Sequence, residues 1–295
     1  MSVSNATLGS MTVDATHTIG VVGSGIMAAG IAEVAARGGI RAIVRARSES
    51  SAAAALKQIT GGLARQVDKG KLEASERDRI LANISTTVEL TGLADCDIVI
   101  ESVVEDLATK QQLFGELDAI VKPSAILATN TSTLSVVEMA KVTNRPDKVC
   151  GIHFFNPAAV LPLVEIVRPI TASDETIARA AAFVTSIGKE GVHVLDRAGF
   201  IVNALLFPYL NNAIRMLEDG TASMQDIDTA MKGGCNFPMG PFALLDLVGL
   251  DTSLSILETL HTSFSDENFV ARPMLRDLVA QGRLGRKTKA GFYVY

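Results

Sequence analysis

Short apolar segments alternate with helix-like segments along the first half of this chain, and that rhythm constrains the fold more than any other feature. The apolar segments span residues 18–23, 40–45, 97–103, 125–128 and 148–155, and the helix-like segments span 26–37, 48–69, 73–82 and 107–121. Strands that alternate with helices in this way form a parallel sheet whose two faces are covered by helices. We therefore predict an α/β fold with a mostly parallel sheet.

The pattern changes after residue 197, where strand-like segments give way to helices. Helical stretches span residues 199–216, 224–231, 242–260 and 269–280, and no strand is expected before the last residues. We predict a sheet domain over residues 18–197, followed by an all-α domain over residues 198–295. Residues 1–17 are rich in Ser and Thr and lack the basic start and apolar core of a secretory signal, so we expect a flexible tail there.

Composition argues against several classes of function. The chain has 295 residues, which is enough for two domains, and a net charge of −5, which argues against nucleic acid as a partner. No apolar run reaches the length of a membrane span. The three cysteines lack metal-ligand spacing and are expected to be buried, reduced thiols. We expect a cytoplasmic protein with no metal site and no membrane partner.

A glycine-rich loop joins the first predicted strand to the first predicted helix. It matches the G-x-G-x-x-A form of the dinucleotide fingerprint, a pattern that flavoproteins and some methyltransferases share. The first glycine permits a tight turn, the second lets the backbone approach a pyrophosphate, and the helix N-terminus offers N–H groups to that phosphate. We predict a Rossmann-type domain whose cofactor contacts include Gly23, Ser24, Gly25, Ile26, Met27 and Ala28.

The end of the second predicted strand bears on which dinucleotide is bound. NAD sites usually carry an acidic residue here, which binds the ribose 2′-hydroxyl. This chain has Arg45, Arg47 and Ser48 instead, with no carboxylate before Glu49. These three side chains can hold a 2′-phosphate, although exposed arginines are also typical of a solvated turn. We predict NADP, or dual use of NADP and NAD.

One histidine and one glutamate lie on two short apolar segments that a turn separates. His153 falls within residues 151–155 and Glu165 within residues 163–167, and Asn156-Pro157 breaks the chain between them. Strands that double back bring such side chains together, and a carboxylate beside an imidazole orients it and stabilises its protonated form. The alternative is a core histidine that a backbone carbonyl satisfies. We predict an acid–base pair.

Taken together, the motifs resemble the 3-hydroxyacyl-CoA dehydrogenase family from about Thr18 to Tyr295. Beyond the glycine loop and the histidine segment H-F-F-N-P at 153–157, they are E-S-V-V-E-D-L at 101–107, N-T-S-T at 130–133, G-F-I-V-N at 199–203, P-M-G-P at 238–241 and G-F-Y at 291–293. Several motifs in the family's order are more specific than any one of them. Ala46 departs from the family, which commonly has Asp there, and this weakens an expectation of strict NAD use.

The resemblance implies interconversion of 3-hydroxybutyryl-CoA and acetoacetyl-CoA by hydride transfer with NAD or NADP, in a homodimer formed by the helical domain. It implies an acid–base role for His153 and Glu165, and catalytic substrate contacts for Ser132 and Asn203. Further implied contacts are Glu105, Lys110 and Lys287 with the cofactor, and Lys69 with the CoA phosphates.

Simpler roles and other functions stay open at this point. Ser132 and Asn203 can each cap a helix, and Glu105 can be a first-turn acid that pairs with Lys110. The nearest alternative function is a dehydrogenase of a hydroxy acid without CoA. A more distant alternative is a structural protein that binds nucleotides. The presence of His153, Glu165 and Asn203 together argues for an enzyme.

Overall fold

The computed structural model describes residues 16–295, so the expected tail at 1–17 lies, except for its last two residues, outside the described part. The chain divides into two compact units. The first ends at Asp196 and contains the sheet, and the second runs from Arg197 to Tyr295 and is helical.

Eight strands form one sheet in the first unit, in the order β3-β2-β1-β4-β5-β6-β7-β8. They are β1 (Thr18–Val22), β2 (Arg41–Arg45), β3 (Ile84–Thr87), β4 (Ile98–Glu101), β5 (Ile126–Thr129), β6 (Val149–Phe154), β7 (Leu163–Arg168) and β8 (Glu190–Leu195). All neighbouring pairs are parallel except β6 and β7. The predicted Rossmann-type, mostly parallel sheet is confirmed. The carboxyl ends of β1, β4, β5 and β6 therefore meet at one edge.

Six α-helices lie among the described residues of the first unit. They are α1 (Ile26–Arg37), α2 (Glu49–Asp68), α3 (Ala74–Ala82), α4 (Leu107–Ile120), α5 (Val136–Ala140) and α6 (Asp174–Ser186). Helix α1 buries a face of small residues, including Ala28 and Ala32, against the sheet, which lets its backbone lie close to β1. The core of the unit is built from the apolar residues of these helices and of the buried strands.

The second unit contains five helices among its described residues. They are α7 (Val202–Glu218), α8 (Met224–Gly234), α9 (Pro241–Val248), α10 (Leu250–Phe264) and α11 (Pro273–Ala280). The predicted all-α domain is confirmed, but the single helix predicted over 242–260 is wrong. Gly249 has φ 103° there, a conformation that no right-handed helix contains, and α9 and α10 are separate.

The pattern of the sequence does not predict either edge strand. Strand β3 has the polar sequence I-S-T-T, and β8 alternates exposed and half-buried residues, so neither is the apolar run that marks a buried strand. Because β7 and β8 are parallel, the chain needs a crossover between them, and helix α6 forms that crossover.

The cysteines fit the sequence expectation in two cases of three. Cys96 and Cys150 are buried, and burial raises the pKa of each thiol to about 12. Cys235 is exposed, so the expectation that it is buried is wrong. It directly follows α8, where the chain leaves the helical core. Within the described residues, no helix is both long and apolar enough to cross a membrane.

A buried carboxylate anchors the loop that follows α5. Asp118, in α4, accepts hydrogen bonds from the Asn144 backbone N–H at 2.8 Å and from the Arg145 guanidinium at 2.6 Å. Burial acts to raise the pKa of Asp118, but these hydrogen bonds outweigh it and hold the pKa below its ordinary value. The ion pair of Asp118 with Arg145 lies at the C-terminal end of α4.

Candidate active site

His153 and Glu165 meet across the antiparallel pair β6 and β7. The two residues are directly opposite in the register, and His153 Nδ1 lies 2.7 Å from Glu165 Oε2. The histidine is 6% exposed and the glutamate 0%. The two side chains lie together, and their acid–base role stays a prediction. Because a carboxylate only accepts, Nδ1 is the nitrogen that donates, and Nε2 of the neutral ring carries the lone pair able to take a proton.

Two further contacts position the histidine segment. The Phe154 backbone N–H donates to Asn130 Oδ1 at 2.8 Å, which ties the end of β6 to the residue that follows β5. The ring of Phe155 lies 4.5 Å from the imidazole of His153, centroid to centroid, with the two planes tilted by 53°. The imidazole is thus held by an anion on one side and by an aromatic ring on another.

The glycine loop has the shape that a phosphate cradle needs. Gly23 has φ 138°, and a Cβ there would lie 2.3 Å from the carbonyl oxygen of Ser102. At Gly25 no atom lies within 4 Å of a Cβ position, so the backbone there borders open space. Gly25 precedes α1 and makes no side-chain cap, so the first N–H groups of that helix point toward this space.

The other four residues of the loop differ in exposure. Ala28 is fully buried beneath Gly23, which explains why a small residue occupies this position. Ile26 is 62% exposed, and Ser24 and Met27 are half-buried. The geometry fits the pyrophosphate of a dinucleotide, bound by backbone N–H groups at the start of α1.

The basic residues at the end of β2 and just after it are placed differently from one another. Arg47 is exposed, whereas Arg45 is half-buried and its Nε donates to the carbonyl of Val88 at 3.2 Å. Ser48 caps α2, since its hydroxyl accepts from the Ser51 backbone N–H at 3.3 Å. The sequence signal for that cap, a serine before an alanine-rich helix, is a feature that the cofactor hypothesis overlooks.

A buried ion cluster that sequence reasoning misses lies at the carboxyl end of β4. Glu101 is 0% exposed and accepts from Lys110 Nζ at 2.6 and 2.8 Å, from the Val103 N–H at 2.6 Å and from Thr129 Oγ1 at 2.8 Å. Lys110 itself is 1% exposed, and its ammonium also lies 3.1 Å from Glu105 Oε2. The ammonium of Lys110 therefore lies between two carboxylates, and its cofactor contact stays a prediction.

Glu105 connects this cluster to Ser132. Its Oε1 accepts from the Ser132 backbone N–H at 3.0 Å, from the Ser132 hydroxyl at 3.4 Å and from the Thr131 hydroxyl. Desolvation acts to raise the pKa of Glu105, but the ammonium of Lys110 and these hydrogen bonds outweigh it and lower the pKa. Glu105 is thus an anion at neutral pH. Ser132 is not a helix cap, because α5 begins four residues later.

The remaining predicted site residues lie on other elements. Lys69 is exposed and follows α2 in the first unit. In the second unit, Asn203 is 8% exposed in the first turn of α7, past the position of the cap, and Lys287 Nζ pairs with Asp251 at 2.6 Å. The substrate and cofactor contacts of these three residues stay predictions. No group of described residues could hold a metal ion.

Comparison with known proteins supports the resemblance across the whole described chain. The model of the NAD-binding domain of 3-hydroxyacyl-CoA dehydrogenases matches residues 18–197, and the model of their C-terminal domain matches residues 199–295. The chain is 45% identical over 284 residues to a 3-hydroxybutyryl-CoA dehydrogenase of Mycobacterium tuberculosis, with 96% of this chain and 99% of the relative covered.

Solved structures agree with the sequence comparison. FadB2 of M. tuberculosis superposes with a TM-score of 0.94 at 45% identity, covering 96% of this chain and 100% of that one. The (S)-3-hydroxybutyryl-CoA dehydrogenase of Ralstonia eutropha superposes with a TM-score of 0.91 at 39% identity, covering 95% and 99%. With both domains matched in order and along nearly their full length, the chain belongs to the 3-hydroxyacyl-CoA dehydrogenase family.

Proposed function

We propose that this chain interconverts 3-hydroxybutyryl-CoA and acetoacetyl-CoA with a nicotinamide cofactor. The observation that carries the proposal is the His153–Glu165 pair, buried at the end of β6 and joined at 2.7 Å. The carboxyl end of β6 lies at the same sheet edge as the glycine loop after β1, where ligands of such sheets bind. A relative at 45% identity and a solved structure at 39% identity are both named as 3-hydroxybutyryl-CoA dehydrogenases.

In the oxidising direction, the hydroxyl proton of the substrate passes to Nε2 of His153. The imidazole becomes an imidazolium, and the carboxylate of Glu165 stabilises the new positive charge through the Nδ1 hydrogen bond. A nicotinamide cofactor held at the glycine loop, residues 23–28, would supply the acceptor for the hydride from the carbon that bears this hydroxyl. In the reducing direction His153 returns the proton to the carbonyl oxygen. A positioned acid–base of this kind contributes about 10²–10⁴ to the rate.

Ser132 serves in this proposal as a hydrogen-bond donor to the substrate oxygen. Glu105 holds the Ser132 backbone N–H at the end of β5, which places the side chain, and the single hydroxyl proton, which points toward Glu105 at 3.4 Å, turns to the substrate oxygen when substrate binds. Asn203 keeps its predicted role as a second substrate contact.

The choice between a CoA substrate and a free hydroxy acid is tested by kinetics. We expect the purified chain to reduce acetoacetyl-CoA, with kcat/KM at least about 100-fold above that for free acetoacetate, because the binding energy of the CoA portion is lost with the free acid. The reduced cofactor is followed by its absorbance. Equal kcat/KM for the two compounds would refute the CoA assignment and favour the dehydrogenase of a non-CoA acid.

We also propose that the cofactor is NADP, or that NADP and NAD are both used. The exposed guanidinium of Arg47 directly after β2, and the absence of an acidic side chain at the buried Ala46, support this. The same assay with NADPH and NADH gives the ratio of kcat/KM. A strong preference for NADH would contradict the proposal.

A homodimer formed by the second unit is the remaining part of the proposal. Leu205 and Met216 lie eleven residues apart on α7, hence on one side of it, and are 71% and 40% exposed. Leu247 on α9 and Phe237 after α8 are also exposed, at 50% and 42%. Exposed apolar residues of this size are typical of an interface between subunits. Sedimentation of the purified chain as a monomer at micromolar concentration would contradict this proposal.

A further inference from the structure

Glu101 is a heavily hydrogen-bonded carboxylate near the candidate site, and the proposed chemistry does not use it. It lies at the carboxyl end of β4, is 0% exposed, and accepts from one backbone N–H, one hydroxyl and the ammonium of Lys110. Burial of a carboxylate costs free energy unless the group is paired and hydrogen-bonded. If Glu101 only filled space in the structure, an apolar side chain would do so at a lower cost in free energy. The groups that bind Glu101 therefore indicate its role.

Those partners lead to Ser132 by two routes. Lys110 Nζ contacts Glu101 at 2.6 and 2.8 Å and Glu105 Oε2 at 3.1 Å, while Glu105 Oε1 holds the Ser132 N–H at 3.0 Å. On the other route, Thr129 Oγ1 donates to Glu101 and accepts from the Thr131 backbone N–H at 3.1 Å, one residue before Ser132. Both routes end on the same short segment after β5.

We propose that Glu101 is a positioning residue for Ser132, acting through Lys110, Glu105 and Thr129. The inference rests on the proposed function, in which Ser132 donates to the substrate oxygen. Glu101 is the nearer anion to Lys110, so it holds the ammonium back from Glu105. This leaves Glu105 Oε1 to accept from Ser132.

Removal of the charge on Glu101 changes this balance. In the variant Glu101→Gln, one oxygen is replaced by an NH₂ group that faces the Lys110 ammonium together with either the Val103 N–H or the Thr129 hydroxyl. The ammonium is then left with Glu105 as its only anionic partner in the cluster and is drawn toward it. Glu105 turns away from the Ser132 backbone N–H, and the Ser132 side chain loses its fixed position. A misplacement of about 1 Å at such a group can lower the rate by about 100-fold.

A matched control lies at the other end of the same strand. Asp97 directly precedes β4, accepts from Lys122 Nζ at 2.6 Å and from the Thr18 N–H at 2.9 Å, and has its pKa lowered by these contacts although desolvation opposes them. It is likewise a carboxylate paired with a lysine, but it lies at the edge of the sheet opposite the candidate site. Asp97→Asn should lower stability and leave kcat unchanged.

The experiment is a double-mutant cycle on acetoacetyl-CoA reduction. We expect Glu101→Gln to lower kcat by about 10- to 100-fold, with the KM for acetoacetyl-CoA changed less than about twofold, because Ser132 in the proposed function contacts the reacting oxygen and not the CoA portion. In the Ser132→Ala background the same change should have almost no further effect on kcat, since the group it positions is gone. Glu101→Asp should recover part of the loss.

Each outcome of the cycle decides the proposal. Additive losses in kcat would show that Glu101 does not act through Ser132, and an unaltered kcat in Glu101→Gln or in Ser132→Ala would overturn the proposal too. If Glu101→Gln does not fold, Thr129→Val keeps all charges, removes the second route, and should show the same coupling to Ser132. A wild-type chain inactive on acetoacetyl-CoA refutes the proposed function and this inference together, whereas additivity in an active enzyme refutes the inference alone.

Discussion

Replacement of Glu165 by Gln isolates the effect of one buried charge on the proposed base. The amide has nearly the shape of the carboxylate and can still accept from Nδ1 of His153, so the ring keeps its tautomer and loses only its anionic neighbour. Nδ1 and Oε2 lie 2.7 Å apart in a pair that is at most 6% exposed, so water cannot replace the interaction. A hydrogen bond to an ionised group contributes about 1.5–3 kcal/mol, which is about 10- to 150-fold in rate.

We therefore expect Glu165→Gln to lower kcat for 3-hydroxybutyryl-CoA oxidation by that factor, with little change in KM. Steady-state kinetics with saturating cofactor measures both quantities, and titration of cofactor fluorescence checks that binding survives. Arg168→Gln is a matched control, because it removes an exposed charge from the same strand and should leave kcat unchanged. A kcat within twofold of wild type in Glu165→Gln would refute the reasoning.

Three further predictions concern stability and the cofactor. Asp246 accepts from the backbone N–H groups of residues 292 and 293, each at 2.8 Å, so Asp246→Asn should lower the free energy of unfolding by about 2 kcal/mol in urea denaturation, and an unchanged midpoint would contradict this. The pKa of Asp118 is lowered by folding, so its contribution to stability is full above about pH 4 and is lost as pH falls through the depressed value. The difference in stability between wild type and Asp118→Asn should therefore shrink in acid, and a difference that does not depend on pH would contradict this. Arg47→Gln should lower kcat/KM for NADPH by about tenfold and leave that for NADH unchanged; equal losses with both cofactors would show that Arg47 does not read the 2′-phosphate.

The parts of the fold and site that sequence predicts are those that local pattern determines. The glycine loop lies between β1 and α1 as predicted, because its chemistry depends on a few consecutive residues. The meeting of His153 with Glu165 is predictable because two apolar runs separated by a proline-containing turn can only double back. The boundary between α9 and α10 had a signal, Gly249, in the sequence.

The role of Glu101 could not be predicted, because its partners come from separate elements. Lys110 lies in α4 and Thr129 at the end of β5, and Thr129 reaches Glu101 because β4 and β5 are neighbours in the sheet. Periodicity indicates that β4 is buried but not what its last residue contacts. The edge strand β8 is not predicted for a related reason. Its side chains are largely exposed, so its sequence is not the continuous apolar run that marks an interior strand.

The most direct test of the central claim is the rate of acetoacetyl-CoA reduction by His153→Gln in a single turnover with bound reduced cofactor. If His153 transfers the proton, the variant should bind cofactor with unchanged affinity and reduce the substrate about 10²–10⁴-fold more slowly than wild type. A single-turnover rate equal to that of wild type would contradict the account.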